Sequence, residues 1–269
     1  MKALAQCCGC AASGKRCSIV AGSRAKDRNG RRAALSLELG AQRCLFHLDI
    51  FRPAAVGEAR IFYLDFETTG LDLGEDSIVE IGLLEDAGAC FQTVVRPSAF
   101  GDDGTAVHGI SNAELAEGLD FVEAFSRMAS FVDGLLDMSV DAAGVHIVEV
   151  RPAALIVAHN GRRFDFPFLV SELYRRGVDL SRIARWLYCD SIDAVRACNV
   201  ECAKLQCMFS RVSDQSLQAH RALSDCFALR RVVRVLSERL GVSLLAFLKP
   251  FVVELDSSAA VLLASSLCA

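Results

Sequence analysis

Short apolar runs, bounded by polar or turn-forming residues, recur along the chain from Arg60 onward. Most of them are rich in β-branched and aromatic residues, which is typical of buried strands. A turn sequence, DAGA at residues 86–89, separates two of the runs. The pattern predicts strands at residues 61–67, 77–86, 90–97, 154–160 and 185–191.

Other segments repeat their apolar residues at the spacing of a helix. In one of them Phe121, Phe125, Met128 and Val132 fall on a single face. The pattern, with Pro or Gly at several of the ends, predicts helices at residues 112–118, 121–136, 165–177 and 224–241. Because the strands come first and then alternate with helices, the order indicates an α/β fold with a mixed sheet flanked by helices.

Composition fits a globular chain with a sizeable core, since 52% of the 269 residues are hydrophobic and 23% are charged. The formal net charge of −4 hides an asymmetry. Residues 1–36 carry eight Lys or Arg and a single acid, which leaves a net charge of −11 on residues 37–269. A nucleic-acid ligand would therefore bind through a local patch or through metal ions, and not through a global basic field.

Three regions follow from these patterns. Residues 1–57 form a basic extension rich in Cys, Ala and Arg, which we expect to be disordered or to act in targeting. Residues 58–245 form the folded domain, and residues 246–269 form a C-terminal tail.

The cysteines and the hydropathy pattern bear on the compartment. The 12 cysteines are scattered without paired spacing, which favours an intracellular, reducing compartment over a disulfide framework. No apolar run reaches the ~18 residues of a membrane span. Residues 1–36 suit an organelle transit segment or a plain tail equally well, so the cytoplasm, the nucleus and an organelle all stay open.

Acidic residues stand at the ends of the predicted elements. Asp65 and Glu67 are two apart on one strand and therefore share a face. Asp165 follows another strand, and Asp225 opens the last long helix, five residues after His220. Four carboxylates brought together would repel one another, and two Mg²⁺ or Mn²⁺ ions would remove that cost. A loop histidine beside such ions suits the role of general base towards water.

Simpler interpretations exist for each of these residues. Aspartates in the position of Asp165 are most often plain helix caps. Asp65 and Glu67 alone would also fit a solvated strand edge, and His220 alone would fit a surface histidine.

Three segments carry a family resemblance. The sequences LDFETTGL (64–71), AHNGRRFDFPFL (158–169) and AHRALSD (219–225) resemble the three motifs of the DEDDh, or DnaQ-like, 3′–5′ exonucleases. VHGIS (107–111) and CDSIDAVRA (189–197) are subsidiary matches. The resemblance covers residues 60–240, approximately, and implies a ribonuclease H-like fold.

The resemblance implies a role for each motif residue. Asp65 would bridge two metal ions, Glu67 and Asp225 would complete the ion on the nucleophile side, and Asp165 would hold the ion on the leaving-group side. His220 would be the general base. A sister subclass carries a tyrosine base four residues before the last aspartate, where this chain has Arg221, so the histidine subclass is favoured.

Further residues are candidates for substrate contact or for support of the site. By resemblance, the loop after the first motif would bind the terminal nucleotide, with its leucine beside the base. His108 resembles a structural histidine of the family, and exposed arginines beside the site would suit phosphates. The candidates are Thr68, Thr69, Gly70, Leu71, His108, Asn160, Arg162, Arg163 and Arg221.

The function implied is a 3′–5′ exonuclease that releases nucleoside 5′-monophosphates. HNGRRFDFPFL (159–169) is similar to TREX-type DNA exonucleases and to the epsilon-type proofreading subunit of DNA polymerase III. That similarity favours a nucleic acid with a free 3′ end, single-stranded DNA above RNA. Two alternatives stay open, an exoribonuclease that processes RNA 3′ ends and a DnaQ-like module that binds without catalysis. The resemblance also allows a homodimer.

Overall fold

A seven-stranded sheet is the centre of the computed structural model, which describes residues 50–99, 105–137, 151–214 and 220–268. The strands are β1 (Phe51–Pro53), β2 (Ala59–Thr68), β3 (Ile78–Glu85), β4 (Cys90–Val94), β5 (Ala153–Ala158), β6 (Leu187–Asp190) and β7 (Val252–Leu255). Their order across the sheet is β1-β7-β6-β5-β2-β3-β4.

The sheet is mixed, as the order of elements predicted. The long strand β2 pairs antiparallel with β3 and parallel with β5. β5 is also parallel to β6, whereas β4 and β7 are antiparallel to their neighbours. The C-terminal ends of β2 and β5 therefore lie at the same end of these central strands, where the polar residues that follow them can meet.

Helices cover both faces of this sheet. All four helices that the periodicity predicted are present, within a few residues of the predicted ends. In the described residues the helices are α1 (Thr105–His108), α2 (Asn112–Ala116), α3 (Phe121–Asp137), α4 (Asp165–Arg175), α5 (Ser191–Ala197), α6 (Leu205–Ser210), α7 (Ala222–Arg239), α8 (Leu244–Leu248) and α9 (Ser257–Cys268). None of them is long and apolar enough to cross a membrane.

Alternation along β2 divides the core in two. Phe62, Leu64 and Phe66 pack with α3, α4 and α9 on one face of the sheet. Ile61 and Tyr63 pack with α5 to α8 on the other face. Because side chains alternate along a strand, the same period turns Asp65 and Glu67 towards α7.

Strands β1 and β7 lie outside the predicted 58–245 domain, so the sheet extends beyond both predicted boundaries. They pair antiparallel with each other at the edge of the sheet. Both are only three or four residues long, too short for their periodicity to separate a strand from a loop. The predicted disordered or targeting segment falls mainly on residues 1–49, outside the described residues, and stays a prediction.

Candidate active site

The first two acids lie on β2 beyond Tyr63, where its pairing with β5 ends. Asp65 is opposite Gly82 of β3, and Glu67 is opposite Glu80. Glu67 is buried, and Asp65 is partly accessible from solvent. The glycine opposite Asp65 matters for packing, since a Cβ on Gly82 would lie 2.4 Å from the Ala222 carbonyl carbon of α7. β3 therefore allows the first turn of α7 to approach the acids of β2.

Asp165 is joined to β2 and does not cap its helix. The N-cap of α4 is Phe164, which makes no capping hydrogen bond through its side chain. Asp165 is the first helical residue, is only 2% exposed, and its Oδ1 accepts a hydrogen bond of 3.1 Å from the Phe66 backbone N–H. The helix-cap interpretation is therefore wrong, and the carboxylate lies beside the strand that carries Asp65 and Glu67.

Asp225 and His220 come from the start of α7. The helix begins at Ala222, so His220 lies in the preceding loop. The His220 backbone N–H donates a hydrogen bond of 3.1 Å to Asp225 Oδ2. The imidazole is exposed, and its Nε2 lies 3.5 Å from Gln206 Nε2.

The structure brings these groups into one acidic cluster. One donor atom each of Glu67, His220 and Asp225 lies within 4.8 Å of the others. Asp225 Oδ1 is buried and accepts no hydrogen bond from the described residues. A buried carboxylate oxygen without a donor is costly. The cluster of oxygen donors therefore fits a hard divalent cation such as Mg²⁺ or Mn²⁺.

The pKa values of the carboxylates in this cluster also indicate a missing cation. Burial raises the pKa of Asp65 well above its ordinary value, and the charges of Asp165, Asp225 and Glu67 raise it further. Burial, with the charge of Asp225, raises the pKa of Glu67 to about 8. Burial also raises the pKa values of Asp165 and Asp225, although backbone N–H donors oppose it at both. These carboxylates thus lack the cationic partner that their ionised forms need.

Glu80 is a fifth acid at this site, is fully buried, and was missed by sequence reasoning. Its carboxylate pairs with Arg221, with a shortest distance of 2.8 Å from Arg221 Nη2 to Glu80 Oε1. The candidate phosphate contact Arg221 therefore already has a partner within the protein. The available clue was an acid in the middle of the apolar run SIVEIGLL.

Hydrogen bonds from two threonine hydroxyls stabilise the loop after β2. Thr68 Oγ1 donates to the Gly70 carbonyl at 2.6 Å, and Thr69 Oγ1 donates to Asp76 Oδ1 at 2.9 Å. Leu71 is 47% exposed at the tip of this loop. The two threonine hydroxyls thus shape the loop, and the leucine is the member with an accessible apolar surface.

His108 is buried and accepts a hydrogen bond of 3.0 Å at Nδ1 from the Ile110 backbone N–H. Burial lowers its pKa. These contacts favour the structural alternative for His108 over a contact with substrate.

The loop after β5 is organised by Asp190, which lies in CDSIDAVRA (189–197) and which the sequence, together with Ser191, indicated only as a candidate cap of the following helix. Its carboxylate accepts hydrogen bonds from the backbone N–H groups of Asn160 at 3.0 Å and Arg162 at 3.2 Å. It also caps α5. Asn160 adopts a left-handed conformation, with φ 65°, and Arg163 is exposed.

Comparisons with known proteins agree with this geometry. The RNase_T family model, described as an exonuclease, matches residues 62–233. The chloroplastic/mitochondrial exonuclease DPD1 of Arabidopsis thaliana is 31% identical over 196 residues, which are 67% of this chain and 57% of the relative. The chain thus spans somewhat more than half the length of this curated relative.

Solved exonuclease structures share the fold. The zinc-bound E. coli ExoI–ssDNA complex superposes with a TM-score of 0.55 at 17% identity, over 71% of this chain and 43% of that one. A 3′-exonuclease that recognises a histone mRNA stem-loop also gives 0.55, at 15% identity, over 70% of this chain and 66% of that one. These likenesses confirm the predicted ribonuclease H-like sheet.

Proposed function

The chain belongs to the RNase_T exonuclease family, the DnaQ-like group, and on that premise we propose that it is a metal-dependent 3′–5′ exonuclease. It would hydrolyse the terminal phosphodiester bond of a nucleic acid and release nucleoside 5′-monophosphates. Single-stranded DNA is the proposed preferred substrate, because HNGRRFDFPFL (159–169) is similar to the DNA-directed members.

The observation that carries the proposal is the acidic cluster, in which one buried oxygen has no hydrogen-bond donor among the described residues. Four carboxylates converge from β2, α4 and α7, and Asp225 Oδ1 lacks a donor among the described residues. The neighbouring Glu80 differs, because its buried oxygens are paired with N–H groups and an arginine.

Each motif residue has a proposed role. Asp65, Glu67, Asp165 and Asp225 would hold two Mg²⁺ or Mn²⁺ ions through their carboxylate oxygens. Such a pair supplies Lewis-acid activation of the attacking water and stabilisation of the leaving oxygen. His220 would take the proton of the attacking water, since its exposed imidazole lies on the loop beside Asp225.

The substrate end would lie against the loop after β2. Leu71 offers apolar surface for the terminal base, while Thr68 and Thr69 keep the loop in shape. The exposed Arg163 is a proposed phosphate contact. Arg221 is a weaker candidate than its position in the motif implied, because Glu80 holds its guanidinium.

We also propose an organelle as the compartment. The basic, acid-poor residues 1–36 suit a transit segment, and the name of the Arabidopsis relative places that protein in chloroplasts and mitochondria. A fusion of residues 1–57 to a fluorescent protein should enter mitochondria or plastids, and a diffuse cytosolic signal would contradict this proposal.

The activity is tested with 5′-labelled single-stranded DNA and RNA of the same sequence. Purified protein with Mg²⁺ should shorten the DNA stepwise from the 3′ end, release mononucleotides, and act more slowly on RNA. EDTA should abolish both reactions. Equal rates on RNA would move the substrate assignment to RNA. Metal-dependent thermal stabilisation without any hydrolysis would instead support the binding module.

A further inference from the structure

We propose that Glu80 is a positioning residue that holds the backbone of His220 in place for catalysis. It would do so through Arg221 and the first N–H group of α7. This inference rests on the proposed nuclease function, in which His220 accepts the proton of water. Glu80 itself touches neither the proposed ions nor the substrate.

Every acceptor position of Glu80 is used by the protein. The residue is 0% exposed. Its Oε1 accepts hydrogen bonds from Arg221 Nη2 at 2.8 Å and from Gln92 Nε2 at 2.8 Å. Its Oε2 accepts from the Ala222 backbone N–H at 2.9 Å, and Arg221 Nε lies 3.2 Å from both oxygens. The carboxylate is therefore saturated by donors, in contrast to Asp225, and is not needed as a cation ligand.

These bonds join strand β3 to the two residues that follow His220. Ala222 is the first residue of α7, and Arg221 is its N-cap. Gly82 lets the Ala222 backbone lie directly on β3, since an added Cβ would meet its carbonyl carbon at 2.4 Å. Glu80 and Gly82 thus fix where α7 starts relative to the acids of β2.

His220 needs such a support because its own backbone is strained. Its φ of 64° lies in the left-handed region, which costs a non-glycine residue free energy unless the surroundings hold it. Asp225 accepts its backbone N–H, and Glu80 holds the two residues on its C-terminal side. Without the Glu80 bonds, the loop would relax and the imidazole would leave the water it must deprotonate.

Strand β3 offers a matched control for the test. Glu85 is also buried, its Oε1 pairs with Arg60 Nε at 3.0 Å, and its Oε2 accepts the Ala87 N–H at 2.8 Å. Its contacts are of the same kind as those of Glu80, but Glu85 lies at the other end of the strand. Glu80→Gln and Glu85→Gln therefore each remove one buried charge and weaken an arginine pair and a backbone hydrogen bond, with and without a link to His220.

The kinetic test compares these variants on single-stranded DNA. Glu80→Gln should lower kcat about 10–100-fold with KM changed less than about threefold, and Glu85→Gln should keep kcat within about threefold. Both should lower Tm. If both variants lose kcat equally, or if Glu80→Gln keeps it, Glu80 is only a structural residue and the proposal is overturned.

A double variant tests whether the loss of kcat in Glu80→Gln depends on His220. In a His220→Ala background, Glu80→Gln should cost less than about threefold, because the imidazole to be positioned is gone. An unchanged, fully multiplicative cost would overturn the proposal. If Glu80→Gln does not fold, Arg221→Lys tests the same link, since lysine keeps the charge but loses the two-point contact. It should lower kcat with KM retained, and an unchanged kcat would count against the proposal.

Hydrogen exchange separates this proposal from the nuclease assignment. The amides of residues 220–224 should exchange at least about tenfold faster in Glu80→Gln than in wild type, and at the wild-type rate in Glu85→Gln. Unchanged exchange would refute the positioning role even in an active enzyme. A wild-type protein without nuclease activity would instead refute the proposed function, whatever the exchange rates are.

Discussion

The surroundings of Asp65 disfavour its ionised form. Burial raises its pKa first, and four other acids raise it further. In the proposed mechanism cations remove that cost, so the same residue should be indispensable for activity and unfavourable for the stability of the metal-free protein.

Asp65→Asn is therefore expected to lower the rate at least ~10³-fold, or ~4 kcal/mol of barrier. The metal-free variant should unfold at the wild-type temperature or above it at pH 8, because a repelling charge is gone. Nuclease assays at saturating Mg²⁺ and thermal unfolding in EDTA measure the two effects. Asp179→Asn, on an exposed turn, is the control and should keep full activity. More than a tenth of the wild-type rate in Asp65→Asn would rule out its proposed role.

His220 differs from the acids because its side chain is exposed and lies on a loop. Its backbone, and not its imidazole, is what Asp225 holds. His220→Ala should therefore lower the rate about 10²–10⁴-fold, the usual range for acid–base catalysis. Mn²⁺ binding, measured by calorimetry, should be retained. Loss of a bound ion in this variant would show that His220 is a metal ligand. Gln206→Ala is the control and should change the rate far less, because Gln206 Nε2 lies 3.5 Å from His220 Nε2, a weak contact.

At the scale of elements, the site depends on how closely α7 lies on β3. Gly82→Ala places a methyl group against the Ala222 backbone, which cannot move aside as a flexible side chain would. We expect a loss of about 1–3 kcal/mol of stability, typical of overpacking, together with a fall in activity because α7 carries Asp225. Gly57→Ala is the control, since an added Cβ there meets nothing within 4 Å. Equal stability of the two variants in denaturant unfolding would contradict the close approach.

His159 joins the end of β5 to the start of α5, through a contact of 2.8 Å between Nδ1 and Ser191 Oγ. Burial lowers its pKa to about 4, and the charge of Arg196 adds to this, while a hydrogen bond to the Ala203 backbone opposes it. Between pH 6.5 and 4 the unfolded chain therefore binds a proton at this histidine more readily than the folded protein does. Stability should fall as pH decreases through that window, by up to about 3 kcal/mol from this residue.

Denaturant unfolding of wild type and His159→Gln from pH 7 to pH 4 measures this contribution. The variant should lose less stability than wild type across the window, whatever its stability at pH 7. The acids of the active-site cluster titrate in both proteins, so the difference between the two curves isolates the contribution of His159. Parallel curves would mean that His159 is not held neutral by burial.

Which parts of the site could be predicted follows from how each residue is positioned. Asp65, Glu67, Asp165 and Asp225 stand near the ends of strongly patterned elements and within the three motifs of the family resemblance, so their convergence could be predicted. Glu80 and Asp190 act through contacts with the backbone of distant segments, and such contacts leave no periodic trace in the sequence. A pattern can thus indicate where chemistry occurs, but not which residues hold it in place.

At the scale of the whole molecule, local pattern also failed to predict strands β1 and β7, which form one edge of the sheet. β1 pairs with β7 across some 200 residues of sequence, including an ion pair of 2.7 Å between Arg52 and Glu254. Long-range pairs of short strands are specified by tertiary packing and not by local pattern. This edge reaches the active site through Phe51, whose ring centroid lies 5.7 Å from that of Phe166, the neighbour of Asp165.

The edge predicts different outcomes for two truncations. A chain that begins at residue 50 keeps β1, whereas one that begins at residue 58 loses it together with the buried Ile50, Phe51 and Val56. Loss of these side chains should lower the free energy of unfolding by about 3–5 kcal/mol, by analogy with large-to-small substitutions in protein cores, and should expose the edge of β7. The shorter protein should therefore unfold at a lower temperature, aggregate more readily and lose activity as Phe166 loosens. If both truncations are equally stable and active, β1 contributes nothing, and the predicted domain start at residue 58 would be the correct one.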